Sequence, residues 1–145
     1  MGLATAFENA YMRLHKAVYV RTDGRVGHGM LVVVPSLLLR TTGRRSGGRR
    51  TTALSYARDG EDYLLVASNS AKEQSPGWYF NVCANPEVEI QVRRRRMPGA
   101  ARAVQKGEPD YDRLWRLAND NNRGRYDEYQ RTTARAIPLV VIRTG

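Results

Sequence analysis

Residues 40–52 read RTTGRRSGGRRTT, which places five arginines, four threonines, three glycines and a serine in one short stretch. A glycine-rich turn can present consecutive backbone N–H groups as a cradle for an anion. Arg44, Arg45 and Arg50 add charge-assisted donors to it, and Ser46 adds a hydroxyl. The spacing from Gly43 to Gly48 is that of a phosphate loop, but Arg49-Arg50 follows it instead of Lys-Ser/Thr. The stretch also joins strand to strand, so it is no nucleoside-triphosphate motif. A solvated basic hairpin tip is the plain alternative. Five arginines this close repel one another unless something anionic sits among them, which favours a binding loop.

Other chemistry-bearing residues are sparser. Tyr126 and Tyr129 stand at helical spacing in a polar segment that gives them little reason to be core. Such tyrosines can stack on a planar ring or donate a proton. Trp78 and Tyr79 read equally as core or as the wall of a cofactor slot. The Arg93–Arg96 run falls at an expected hairpin turn and reads as solvated. Cys83 reads as a small buried hydrophobe. The histidines are His15 and His28 alone; no zinc-ligand spacing and no G-x-S-x-G elbow is present. Hydrolysis by paired carboxylates stays open, although the acids sit mostly in helix starts and turns, and metal-free, cofactor-dependent chemistry is the favoured enzyme class.

These residues must be carried by a fold of 145 residues, the size of one domain with a real core. A net charge of +10 points to a polyanionic partner without choosing between nucleic acid, anionic lipid and a charged small molecule. One cysteine excludes an internal disulfide and fits a reducing compartment. No apolar run is long enough to span a membrane, and no secretory signal core opens the chain, so a cytoplasmic protein is expected.

The elements follow from periodicity. Phe7, Tyr11, Leu14 and Val18 lie on one face of an amphipathic helix over 3–20, which packs on the domain or lies on a membrane surface. Three glycines between 21 and 30 mark a loop. PSLLLRTT is a strand feeding the basic loop, and TTALSYARDGEDYLLVASN is two strands around Asp59-Gly60. EVEIQVR alternates over 87–93, MPGAARAVQK pairs back with it, and IPLVVIR over 137–143 is a buried strand. Helices are expected over 75–86, over 108–121 with Leu114, Leu117 and Ala118 on one side, and over 122–135. Strands broken by short helices predict a closed or half-closed β-barrel with helices outside.

Taken together, LLLRTTGRRSGGRRTT, LVASN, PGWYFNVCANPEVEIQV and YDEYQRTTARAIPLVVI resemble the deazaflavin-dependent nitroreductase family of actinobacteria. The likeness runs in order from about residue 35 to 143 and implies an FMN-binding-like split β-barrel behind the N-terminal helix. It also implies coenzyme F-420, whose phosphodiester and oligoglutamate tail are polyanionic. Arg44, Arg45, Ser46 and Arg50 would hold phosphate and tail, with contacts from Thr51, Thr52, Ala53, Leu54 and Ser55. Val66, Ala67, Ser68 and Asn69 would line the ring, and Gly77, Trp78, Tyr79 and Asn81 would complete the slot. The implied reaction is hydride transfer from reduced F-420 to a quinone, an activated enone or lactone, or a nitroaromatic. Tyr126 and Tyr129 would close over ring and substrate, and together with Ser68 would stabilise or protonate the acceptor, with Ser68 and Tyr126 ahead of Tyr129. The resemblance leaves room for a homodimer and for peripheral contact with the inner face of the cell membrane. The sequence departs from many relatives at Arg49 and Ala53, where they have proline. It departs from some at Asn69, Ser55 and Arg123, where they have lysine, a bulky tyrosine and a lid tyrosine. The rival readings are a nucleic-acid-binding basic β-barrel and a split barrel for FMN or haem.

Overall fold

The computed structural model describes residues 35–145, so the expected helix over 3–20, the loop over 21–30 and both histidines lie outside the described residues. The strands are β1 (Ser36–Thr42), β2 (Arg49–Ser55), β3 (Ala57–Asp59), β4 (Asp62–Val66), β5 (Glu87–Val92), β6 (Arg95–Val104) and β7 (Leu139–Arg143). The helices are α1 (Gly77–Ala84), α2 (Tyr111–Asn121) and α3 (Arg125–Thr132), with a single 3-10 turn at Asn69–Ala71.

The seven strands of the described residues form one antiparallel sheet in the order β2-β1-β5-β6-β7-β4-β3. Its two outermost strands, β2 and β3, are separated in sequence by Tyr56 alone. One residue can link opposite edges of a seven-stranded sheet only if the sheet curls until those edges meet. Tyr56 is that corner: its N–H donates to the Pro35 carbonyl at 3.1 Å, and its ring meets that of Tyr63 at 5.3 Å. The single strand expected from Thr51 toward Asp59 is therefore broken in two, because its halves serve opposite edges. The result is the split β-barrel that the sequence motifs imply.

Alternation along the strands supplies two cores. Leu37, Leu39, Tyr63, Leu65, Val88, Ile90, Met97, Val140 and Ile142 fill the concave side, closed by Trp78, Tyr79 and Val82 of α1. Leu64, Val66, Leu139 and Val141, on the other face of β4 and β7, pack beneath Tyr111, Leu114 and Ala118 of α2 and Tyr126 of α3. The run IPLVVIR is continuously apolar because β7 is covered on both sides. Full burial of each such Leu or Ile contributes about 1.5–3 kcal/mol.

Two expected placements are corrected. Cys83 is exposed, since α1 buries positions 78, 79, 81 and 82 and leaves 80, 83 and 84 as its outer stripe. Leu117 is also exposed, because the inward face of α2 runs through Tyr111, Leu114 and Ala118, a spacing that turns position 117 outward. The Arg93–Arg96 run is exposed as expected, but only Arg93 and Arg94 form the β5–β6 turn, with Arg93 at φ 57°, while Arg95 and Arg96 open β6.

Candidate functional site

The β1–β2 connection is a tight hairpin loop. The Gly43 N–H donates to the Gly48 carbonyl at 2.7 Å and the Gly47 N–H to the Gly43 carbonyl at 2.8 Å. Gly47 adopts φ +74°, a left-handed conformation that glycine takes without steric cost. Ser46 Oγ accepts from the Gly48 N–H at 3.1 Å and from Arg50 Nη2 at 3.5 Å. Its own proton is therefore left to donate outward.

The five arginines of this stretch divide by partner. Glu89 on β5 takes two of them, with Arg40 Nη1 on Oε1 and Arg49 Nη2 on Oε2, both at 3.3 Å. Arg40 also donates to Gln91 Oε1 at 2.9 Å. Arg44 faces α1 instead: its backbone N–H and its Nη1 both donate to Asn81 Oδ1, at 3.2 and 2.9 Å. The same Nη1 reaches the Gly77 carbonyl at 3.4 Å, and the guanidinium stands 5.3 Å from the centre of the Phe80 ring. Asn81 is buried and anchored by donating to Thr41 Oγ1 at 3.3 Å. The described partners of Arg44 are thus an amide oxygen, a carbonyl and a ring, with no carboxylate among them. Arg45 and Arg50 are exposed beside it. This collected positive charge sits near the N-terminal end of α1, where the helix dipole also favours an anion.

A second group lies where β4 ends. Ser68 is half-buried, and Asn69, Ser70 and Ala71 follow with φ of 49°, 53° and 64°. Three consecutive non-glycine residues in the left-handed region cost about 1–2 kcal/mol each and need outside support. Arg135 supplies it. Its Nη2 donates to the carbonyls of Ala67 at 3.1 Å and Ser68 at 2.7 Å, its Nε to that of Lys72 at 2.8 Å, and its Nη1 to Ser75 Oγ at 3.2 Å. Gln130 of α3 fixes the chain on either side, donating to the Arg135 carbonyl at 2.8 Å and accepting from the Ile137 N–H at 3.0 Å. Ser75 is two residues before Gly77, so the Arg135 group and the Arg44 group flank the same entry into α1.

The aromatic residues form a third group. Tyr111 stacks on Trp115 at 5.8 Å, Trp115 meets Tyr126 at 6.3 Å, and Tyr126 meets Tyr129 at 6.4 Å. Asp127 clamps α3 to α2, accepting from Trp115 Nε1 at 2.6 Å and Asn119 Nδ2 at 3.0 Å. Tyr126 is buried in the second core, a correction to its expected exposure, and burial pushes its hydroxyl up to about 12. Tyr129 is half-buried at the edge of that core, and α3 packs against the 69–71 turn.

Several expected site residues separate on the strands. Side chains of consecutive strand residues point to opposite faces, so Thr51 to Ser55 cannot line one surface. Leu54 joins the concave core with Thr52 on its face, while Ala53 packs with Leu38 on the other, together with Thr51 and Ser55. Likewise Val66 belongs to the α2 side and Ala67 to the concave side. Trp78 and Tyr79 are core; the aromatic that α1 exposes is Phe80. A groove of about 410 Å³ along α2, lined by Lys106, Tyr111, Asp112, Trp115, Arg116 and Gln130, contains none of the expected residues.

Sequence reasoning missed Phe80, Glu89, Gln130 and Arg135. GWYFNVCA is apolar nearly all round, so periodicity does not say which aromatic faces out. Arg135 works through backbone carbonyls more than 60 residues away, which leave no side-chain pattern to read.

The curled sheet and its arginine-bearing hairpin define a protein of the split-barrel class. Residues 11–144 match the model of the family described as F420H(2)-dependent quinone reductase, and the chain belongs to that family. It is 52% identical over 131 residues to the F420H(2)-dependent quinone reductase Rv1261c of Mycobacterium tuberculosis, covering 90% of this chain and 88% of that one. A solved F420-H2 dependent reductase, FDR-A, superposes with a TM-score of 0.67 at 36% identity, covering 75% of this chain and 94% of its own. A second structure, described as a domain-swapped dimer, gives a TM-score of 0.69 at 31% identity over 94% and 99% of the two chains. The protein is therefore an F-420-dependent oxidoreductase, and F-420 is its cofactor. The described residues suit that group: Glu89 pairs with Arg40 and Arg49 and offsets one of their two charges, while Arg44, Arg45 and Arg50 remain exposed cations fit for a polyanionic tail. Among the described residues no helix is long and apolar enough to cross a membrane.

Proposed function

We propose that the Arg44 loop is the cofactor clamp and that the entry into α1 is where a quinone is reduced. The observation that carries this reading is the double hold of Asn81 on Arg44, which presses the basic loop onto the N-terminal end of α1. Arg44, Arg45 and Arg50 bind phosphodiester and tail, and the Ser46 hydroxyl donates to one of their oxygens. Ser68, Asn69 and Gly77 border the ring, with Asn81 beneath as support. When bound, reduced F-420 supplies a hydride to an electrophilic acceptor.

Charge then develops on the acceptor oxygen, and a nearby hydroxyl must meet it. Ser68 and Tyr129, both half-buried, serve as those hydroxyls. Tyr126 serves as a wall, because a phenol held up to about 12 in the core is a reluctant proton donor at neutral pH. Quinones are the first substrate class, and activated enones, lactones and nitroaromatics share the needed electrophilicity. The working form is a homodimer, in keeping with the related domain-swapped structure, and it acts in the reducing cytoplasm.

Fluorescence titration with F-420 and with FMN, on the wild type, Arg44→Ala and Arg50→Ala, tests the clamp. Saturable F-420 binding, weakened about 10–100-fold by either change, is expected from the loss of a charge-assisted contact. Equal binding by all three proteins would sink the clamp. A steep preference for nucleic acid over F-420 would bring back the basic-barrel reading. Sedimentation at micromolar concentration checks the dimer.

A further inference from the structure

We infer that Arg135 is the positioning residue of the reduction, the group that holds Ser68 in its working place; this rests on the proposal that Ser68 borders the ring. Four observations converge on it. Its guanidinium makes four hydrogen bonds, all to the Ala67–Ser75 segment. That segment contains three successive non-glycine residues at positive φ, a conformation that does not hold itself. Arg135 is fixed in turn by Gln130, which accepts the Ile137 N–H and donates to the Arg135 carbonyl. Finally, α3, which carries Gln130 and Tyr129, packs on the same 69–71 turn.

The described partners of the guanidinium are three carbonyls and one hydroxyl, with no carboxylate among them. A planar fork that spans the Ala67 and Ser68 carbonyls with one nitrogen and the Lys72 carbonyl with another fixes both distance and direction. A lysine ammonium has one point of charge and cannot span the same set. Loss of the fork lets the 67–75 segment relax toward right-handed backbone and carries the Ser68 hydroxyl away from the acceptor. A displacement of about 1 Å at a reacting group can lower turnover about 100-fold. The Arg44 clamp belongs to a different loop and keeps its hold on the tail, while the ring loses part of its border, so cofactor affinity falls less than kcat.

The variants Arg135→Lys, Arg135→Ala, Ser68→Ala and Arg135→Lys/Ser68→Ala are compared with wild type. Amide hydrogen exchange on the free protein reads the segment directly, F-420 fluorescence reads affinity, and menadione reduction reads kcat and KM. The expected result is exchange raised at least 10-fold in peptides covering 67–75 and unchanged in β5–β6. In the Arg135 variants kcat falls about 10–100-fold, a larger factor than the rise in the F-420 Kd. The double variant is no worse than its worse parent. Millimolar methylguanidinium restores part of the kcat of Arg135→Ala. Unchanged exchange over 67–75, or full kcat in Arg135→Lys beside a crippled Ser68→Ala, overturns the inference while leaving Ser68 at the site. Full kcat in Ser68→Ala overturns instead the reading on which it rests.

Discussion

Asn81 holds Arg44 with one amide oxygen, and that oxygen is neutral. Asn81→Asp keeps shape and the bonds to Arg44, reverses the Thr41 contact so that the hydroxyl donates, and supplies the carboxylate that Arg44 lacks. It should raise the F-420 Kd about 10-fold or more while the melting temperature stays within a few degrees, because the new charge competes with the cofactor's anions for the same guanidinium. Binding as tight as wild type would separate Arg44 from the tail. Burial makes a second prediction at Tyr126 and Tyr111, both pushed up to about 12. An unfolded tyrosine ionises near 10. A group with a raised folded pKa contributes stability fully below its unfolded value and loses it as pH rises through its folded value. Stability should accordingly fall between pH 10 and 12, and absorbance at 295 nm should show these two phenols ionising after the exposed ones. Tyr126→Phe removes one late step and shifts alkaline unfolding upward. Its cost at pH 7 is about 1 kcal/mol, from the lost hydroxyl bond to Asn122. A resembled motif groups Arg44, Ser46 and Asn81 in the sequence, and the fold brings Arg44 onto Asn81 across 37 positions. Tyr126 reads as exposed because its helix is polar at nearly every other position, whereas the fold seats it against Trp115 of α2 and the apolar residues of β4 and β7.

Elements are easier to read than their partners. Strands β1, β5 and β7 are announced by alternation or an apolar run, β6 only by pairing back on β5, and the Asp59-Gly60 hairpin by its turn, with Gly60 at φ +62°. What the sequence could not show was that Tyr56 divides one apparent strand between two edges of a curled sheet, since both halves carry the same pattern. Closure also explains a glycine. Gly99 pairs with Val88 across β5–β6, and a Cβ there would lie 2.7 Å from Ile142 Cγ2 and 3.3 Å from the Arg143 carbonyl. Ile142 is fully buried and branched at Cβ, so it cannot swing aside. Gly99→Ala should destabilise by roughly 1–3 kcal/mol through overpacking, a fall of about 3–9 °C in melting temperature by calorimetry. No fall would mean that β6 and β7 part more easily at this point than their register suggests.

At the scale of the molecule, a net charge of +10 draws any polyanion, and the fold decides which one stays. Glu89 offsets one of the two charges of Arg40 and Arg49, and Asp59 offsets that of Arg113 through paired bonds of 2.9 and 3.1 Å. The cations left at the loop, Arg44, Arg45 and Arg50, are exposed and gathered over a few residues, so their attraction for a flexible tail is long-ranged and open to screening. The screening length falls from about 10 Å at 0.1 M salt to about 3 Å at 1 M. F-420 affinity should therefore drop steeply between 50 mM and 500 mM potassium chloride, and less steeply in Arg44→Ala/Arg50→Ala, which has fewer charges to screen. FMN, with one phosphate and no tail, should show a shallow slope in both proteins. A common slope for FMN and F-420 would locate the charge response in the molecule's general field instead of in this loop. A slope lost in the double variant would place it at the two guanidinium groups that the β1–β2 hairpin presents.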